Sequence, residues 1–231
     1  MDGPPTLILW DVDRTLVTLD GVGRDMLAEV FLMLTGKSVS TMPEMSGRTD
    51  HYLVTSVLSG HDVPVTDELV SRFFAEMVSA APRYREAMTR RGYAHAGAAA
   101  AVEAFARHPG VVQSLVTGNV RQIAEQKLAV FGLDTWIDFE VGGYGTEDGA
   151  RATLVRRARQ RAAAKYGPFD ADRVVVIGDT AHDIAGAREA GVRSVGVATG
   201  IVSATELSRA GADLVLDDLT DTPVLVDFAL R

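Results

Sequence analysis

The sequence predicts a doubly wound α/β fold, a parallel sheet covered on both faces by helices, with a helical domain inserted early in the chain. Three observations carry the prediction. Leu7-Ile8-Leu9-Trp10 is an unbroken apolar run, as suits a strand buried on both faces. From Gly97 onward, short apolar runs alternate with segments of helical spacing, so successive strands need crossover connections and lie parallel. Between these two regions the periodicity is helical and no convincing strand intervenes. The expected division is an α/β core of residues 1–16 and 95–231 and a helical cap of residues 17–94.

In chain order, the first strand ends in Asp11 and Asp13. Side chains two apart in an extended chain share a side, so the two carboxylates converge, and like charges held that close need a cation or a proton to coexist. For an isolated Asp-x-Asp, capping of local backbone N–H groups is the plainer reading. Val22, Met26, Leu27, Val30, Phe31 and Leu34 then recur at helical spacing up to Gly36. A second helix follows Ser46-Gly47-Arg48-Thr49-Asp50, and a third starts after Thr66 with Leu69, Phe73, Phe74 and Met77 on one face. Arg83, Arg85, Arg90 and Arg91 read as a solvated helix end.

Residues 98–107 are helical by alanine richness and are broken by Pro109-Gly110. A strand over 111–116 runs into Thr117-Gly118-Asn119, and a helix covers 120–131. A short strand is expected around Phe139-Glu140-Val141, then a loop with Gly142, Gly143 and Gly145 and a long helix to about Lys165. Val174-Val175-Val176-Ile177 is the strongest later strand and stops at Gly178-Asp179. Further strand–helix units follow around 195–197 and 214–216.

With 231 residues, 47% of them hydrophobic and 23% charged, the chain can bury a substantial core, which excludes a disordered chain. A formal charge of -8 disfavours nonspecific partners such as nucleic acid or anionic membrane, while leaving room for a local basic pocket. Cysteine is absent, which removes disulfide and thiolate chemistry. Met1-Asp2-Gly3-Pro4-Pro5 lacks the basic start of a signal peptide and no apolar run approaches ~18 residues, so a cytoplasmic location is expected.

Ligands of open parallel sheets bind beyond the carboxyl ends of the strands. Three strands here end in polar groups: Asp11 and Asp13; Thr117-Gly118-Asn119; and Gly178-Asp179-Thr180-Ala181-His182-Asp183. Thr117 offers a hydroxyl, Gly118 lets the backbone approach an anion, and Asn119 can cap the helix that follows, which together suit a phosphate. Asp11, Asp179 and Asp183 would supply hard oxygen ligands of the kind Mg²⁺ takes.

Laid out in this order, Asp11-Val12-Asp13-Arg14-Thr15, Thr117 and Gly178 to Asp183 resemble the motifs of the haloacid dehalogenase superfamily of phosphotransferases. The branch most similar is the phosphoglycolate-phosphatase type with a helical cap, and the resemblance extends to Gly47-Arg48-Thr49-Asp50 and to Lys127-Leu128-Ala129-Val130-Phe131-Gly132-Leu133. It implies that Asp11 is a nucleophile forming an aspartyl-phosphate and that Asp13, with a raised pKa, is the acid and base. Thr15, Thr117, Gly118 and Asn119 would hold substrate, and Asp11, Asp13 through its carbonyl, Asp179 and Asp183 would hold Mg²⁺. Arg48 is the expected cap contact with substrate, as a clamp for a carboxylate or second phosphate.

Two departures stand out. Arg14 occupies a position where the family very often has Gly, and it is expected to point to solvent. The family's lysine after the fourth strand is missing: only Lys37, Lys127 and Lys165 occur. Arg151 stands near the expected place and would supply the cation that four carboxylates and a phosphate require. Lys127 is the rival, but about ten residues of helix at ~1.5 Å each separate it from Thr117, which argues against its reach.

The implied activity is Mg²⁺-dependent hydrolysis of a small phosphorylated metabolite. A phosphosugar mutase uses the same Asp pair and stays open, as does a non-catalytic phospho-ligand binding protein. Dehalogenase chemistry is disfavoured because it has no need of Asp13, and Schiff-base phosphonate hydrolysis because Arg48 cannot replace an amine.

Overall fold

The computed structural model describes residues 5–231. The first four residues, on which most of the signal-peptide reading rests, lie outside them. Among the described residues no helix is long and apolar enough to cross a membrane.

β1 (Thr6–Trp10) is buried along its whole length, and β2 (Val17–Leu19) follows after a tight turn. Four helices come next: α1 (Val22–Thr35), α2 (Asp50–Ser59), α3 (Asp67–Ala80) and α4 (Arg85–Arg91). β3 (Gly92–Ala94) returns the chain and pairs antiparallel with β2. Alternation then sets in, with α5 (Ala98–Ala106), β4 (Val111–Thr117), α6 (Arg121–Val130), β5 (Gly143–Tyr144) and α7 (Arg151–Tyr166). β6 (Val174–Gly178), α8 (Ala181–Ala190), β7 (Arg193–Val197), α9 (Ala204–Ala210), β8 (Leu214–Leu216) and α10 (Thr222–Leu230) complete it.

The main sheet has six strands in the order β5-β4-β1-β6-β7-β8, and each neighbouring pair is parallel. β1 is therefore flanked by β4 on one side and β6 on the other, and the strand order reverses beside it. That reversal opens a crevice at the strand tips. Trp10 lies opposite both Leu115 and Ile177, so the tips come level, and the Asp11 N–H donates to the Ile177 carbonyl at 2.8 Å.

The two faces of β1 explain its unbroken apolar run. Ile8 and Trp10 pack with Phe105 and Leu128 on one side, Leu7 and Leu9 with Leu154, Val155 and Val176 on the other. Trp10 meets Phe105 edge to face at 5.9 Å, and its buried indole N–H is satisfied by the Gln113 side chain at 3.0 Å. Truncating Trp10 to alanine would cost about 3–5 kcal/mol, as large core deletions do. A separate apolar cluster joins α1, α2 and α3 through Leu27, Phe31, Leu58 and Phe73, and it takes in Val120 and Ile123 at the start of α6. α6 thus faces both clusters, a placement that matters below.

Two local expectations fail. The β2–β3 ribbon lies where no strand was expected, because three residues are too few for periodicity to register. Residues Phe139–Val141 form a 3₁₀ turn instead of a strand: the Asp138 carboxylate accepts from the Glu140 N–H at 3.0 Å and closes the chain on itself. The pairing falls to Gly143 and Tyr144, beside Val116 and Thr117. Arg83 and Arg91 are also engaged, with Glu29 and Asp25 on α1, and tie the end of the helical segment to its beginning.

Candidate active site

Asp11 lies just beyond β1, Thr117 ends β4, and Asp179 follows β6, so the sheet brings the three polar strand ends together as expected. Asp11, Asp179 and Asp183 are buried and present carboxylate oxygens within 4.8 Å of one another. Burial, then the Asp183 charge, push the Asp11 pKa well up, with Arg151 opposing; burial and Asp183 raise Asp179 to about 7. Asp179 Oδ2 and Asp183 Oδ1 are buried and accept no hydrogen bond. Converging, mutually repelling oxygens with two acceptors left open fit a divalent cation, whose charge would remove the repulsion and ionise the cluster.

Thr15 is not brought to the cavity. It is fully buried, does not line the cavity, and its hydroxyl donates to Asp179 Oδ1 at 3.4 Å, so it orients a carboxylate.

The Asp13 carboxylate is not part of the close set of Asp11, Asp179 and Asp183. Lys127 Nζ donates to both its oxygens, at 2.7 and 2.6 Å, and to Asn119 Oδ1 at 2.6 Å; Asn119 Nδ2 donates to Asp13 at 2.7 Å and to Thr117 Oγ1 at 2.7 Å. Burial raises the Asp13 pKa, but the Lys127 charge, the hydrogen bonds from Lys127 and Asn119 and the Arg14 charge outweigh it and hold it below the ordinary value. The expectation of a raised Asp13 pKa is thus reversed in the free site.

Lys127 itself corrects the distance argument. The ten residues counted from Thr117 include the non-helical turn before Arg121, and α6 runs along the site, between the sheet cluster and the α1–α3 cluster, instead of straight away from it. The sequence did hold a signal: Ile123, Ala124, Lys127 and Leu128 form one buried stripe, and a lysine on such a stripe must have a partner.

Arg151 opens α7 and is also in the site. Its guanidinium lies 3.2 Å from Asp183 Oδ1 without hydrogen-bond alignment and 3.5 Å from Asp11 Oδ1, and it donates to the Val116 carbonyl at 3.2 Å. A cation at a helix N-terminus costs ~0.3–1 kcal/mol, which these carboxylates offset. Gly186 on α8 leaves room for it, since a Cβ there would meet the Arg151 Cγ at 2.6 Å.

Asn119 does not cap α6. The N-cap is Val120, and its N–H is satisfied at 2.8 Å by Asp50, from the first turn of α2. Asp50 N donates to the Gly118 carbonyl at 2.7 Å and His51 N to the Gly145 carbonyl at 3.1 Å, strapping the start of α2 across the strand tips. This close approach needs Gly118, where a Cβ would strike the Arg48 carbonyl. Burial raises the Asp50 carboxyl to about 6, against the opposing Lys127 charge and the Val120 hydrogen bond. Sequence reasoning passed over Asp50 as a site residue.

Asp11, Asp13, Asp50, Asn119, Lys127, Arg151 and Asp179 line a cavity of about 200 Å³ between the strand tips and the helical segment. Arg48 lines it, half-buried, with its guanidinium 4.7 Å from the centre of the Tyr52 ring and 4.0 Å from Glu44. Arg14 lines it too, half-buried, which corrects the expectation that it faces solvent. Its φ is +66°, a left-handed conformation that costs a non-glycine residue about 1–3 kcal/mol.

Buried carboxylates at the tip of a central parallel strand, opposite a polar turn on its neighbour and under a helical segment, define a hydrolase site of the class the motifs suggested. The model for haloacid dehalogenase-like hydrolases matches residues 8–188, and the chain belongs to that family. It is 30% identical over 230 residues, 96% of this chain and 94% of that protein, to the plasmid-encoded phosphoglycolate phosphatase of Cupriavidus necator. The fold matches a hydrolase from Pseudomonas syringae with a TM-score of 0.65, at 23% identity over 96% of this chain and 98% of that one. It also matches a predicted phosphatase from Clostridium acetobutylicum with a TM-score of 0.66, at 18% identity over 97% of this chain and 100% of that one.

Proposed function

We propose that this hydrolase is a Mg²⁺-dependent phosphatase acting on a small phosphorylated metabolite through an aspartyl-phosphate on Asp11. The observation that carries the reading is the set of three buried carboxylates, two with unpartnered oxygens, beside the Asp13–Lys127–Asn119 network. When bound among Asp11, Asp179 and Asp183, with the Asp13 carbonyl, Mg²⁺ would supply the charge that offsets repulsion between carboxylate and phosphate.

Asp11 attacks phosphorus, a carboxylate–phosphorus bond forms, and the bond from phosphorus to the leaving oxygen breaks. Asp13 gives that oxygen a proton, then takes one from the water that hydrolyses the aspartyl-phosphate. Lys127 keeps Asp13 ionised in the free site, the form needed for the second step, while a bound phosphate acts in the opposite direction and raises its pKa for the first. Thr117, Gly118 and Lys127 border the phosphate, and Arg48 faces the rest of the substrate. Residues 17–94 act as the cap, and a cavity of about 200 Å³ suits a metabolite better than a polymer. A cytoplasmic substrate, the compartment expected from the sequence, belongs to the same reading.

A panel of small phosphomonoesters assayed for phosphate release with Mg²⁺ and with EDTA tests it. Turnover of at least one ester, lost in EDTA and restored by Mg²⁺, is the expected result. No turnover, or turnover indifferent to chelator, would overturn the proposal.

A further inference from the structure

Three glycines clear space around the charged cluster: a Cβ on Gly178 would strike the Asp183 carboxyl, one on Gly186 the Arg151 stem, and one on Gly200 the Asp179 carboxylate. Gly178 ends β6 and Gly186 lies on α8, elements already tied to the site. Gly200 belongs to neither. It follows β7, in the loop that leads to α9, and its φ is not positive, so left-handed backbone does not explain the glycine. Space does.

A Cβ on Gly200 would stand 1.8 Å from Asp179 Oδ2, 2.8 Å from its Cγ and 3.2 Å from its Cβ, so swinging the terminal oxygen alone would not clear the contact. Asp179 has little room to retreat: it is 1% exposed, and the buried Thr15 hydroxyl donates to its other oxygen at 3.4 Å. The loop is held as well. β7 pairs with β6 and lies two strands from β1, yet the Thr199 hydroxyl donates at 2.6 Å to the carbonyl of Arg14, which follows β1. That hydrogen bond carries the loop across the tip of β6, where Asp179 sits. On the other flank the Ala198 N–H donates to the Leu216 carbonyl at 2.8 Å.

We infer that Gly200 is a positioning residue for the cation site: it leaves the space in which Asp179 joins Asp11 and Asp183, and the Thr199–Arg14 hydrogen bond fixes the loop that bounds this space. The inference deepens the proposed function and rests on it for the presence of the cation. Gly200 supplies no ligand. It acts through Asp179, as groups that orient a metal ligand do, and it does so from a loop outside the three strand-tip motifs.

The test is metal binding, independent of turnover. Mg²⁺ dissociation constants are measured by titration calorimetry at pH 8, with no substrate present. Gly200→Ala should weaken binding ~10-fold or more, the scale on which groups that orient a metal ligand act. Ile201→Ala, at the exposed neighbour in the same loop, should leave the affinity within about twofold of wild type. If Gly200→Ala fails to fold, two changes at Thr199 serve instead. Thr199→Val loses the hydroxyl that holds the loop and should weaken binding ~3-fold or more, the scale of one hydrogen bond, while Thr199→Ser keeps it and should bind as wild type does. Unchanged affinity in Gly200→Ala, an equal loss in Ile201→Ala, or equal affinities in the two Thr199 variants would overturn the inference. Failure of the wider reading looks different: wild type that binds no Mg²⁺ would remove the cation and this inference together, whereas wild-type binding that Gly200→Ala leaves intact removes the inference alone.

Discussion

Asp13 has its charge set by Lys127, a residue that stands 114 positions away in sequence, and no spacing rule announces that pair. The strand-end carboxylates were legible because a strand has a fixed direction and the crevice rule says where its tip points; Asp11, Thr117 and Asp179 follow from that alone. Lys127 was not, because its placement depends on how α6 leans between two apolar clusters. Lys127→Ala should reduce kcat by ~10²-fold or more, the scale of general acid–base effects. It should also move the acid limb of the pH profile upward: with Lys127 gone, burial raises the Asp13 pKa, and the ionised form is lost earlier as pH falls. Steady-state kinetics from pH 5 to 9 reads both, and a variant with the wild-type profile would remove Lys127 from the mechanism. Arg151→Ala leaves Asp183 buried without its cation, a loss of about 3–5 kcal/mol. Because a divalent ion would neutralise the same carboxylates, Mg²⁺ should restore more of the melting temperature in Arg151→Ala than in wild type. Equal stabilisation of both proteins would contradict a shared charge balance.

Among the elements, α2 and α6 are joined by Asp50, which caps a helix distant from its own. The sequence marked Thr49-Asp50 as a helix start and Thr117-Gly118-Asn119 as a phosphate seat, yet only the folded chain shows that the first supplies the cap of the helix following the second. The same gap explains Phe139–Val141, where apolar spacing mimicked a strand and a local carboxylate decided for a turn. Asp50 gives a test with a defined sign. Its folded pKa, about 6, lies above its unfolded value, so it withdraws stability as pH rises from about 4 to 6, by roughly 3 kcal/mol at neutral pH. Asp50→Asn keeps an acceptor for the Val120 N–H and removes the buried charge. Its melting temperature should exceed wild type by several degrees at pH 8 and match it near pH 4; a variant less stable than wild type at pH 8 would show that the ionised carboxylate contributes more than its burial costs.

For the whole molecule, the alternation of strands and helices after Gly97 predicted the parallel sheet, since crossover connections leave few topologies. What it could not convey is how the inserted helices seat on the strand tips, because side chains from distant segments make that contact. The Asp179 pKa of about 7 ties the site to solution conditions: protons compete with a cation, so Mg²⁺ affinity should weaken as pH falls through 7, which titration calorimetry at pH 6 and 8 reads directly. An affinity that does not change would place the cation elsewhere. The central claim is covalent transfer to Asp11. The most direct measurement is to acid-quench the enzyme during turnover of its best phosphomonoester with Mg²⁺, reduce with borohydride, and map the modified residue by peptide mass spectrometry. The account predicts conversion of the acyl phosphate to homoserine at position 11 alone, and none in Asp11→Asn; rapid turnover that leaves position 11 unmodified, or a labelled carboxylate elsewhere, would contradict it.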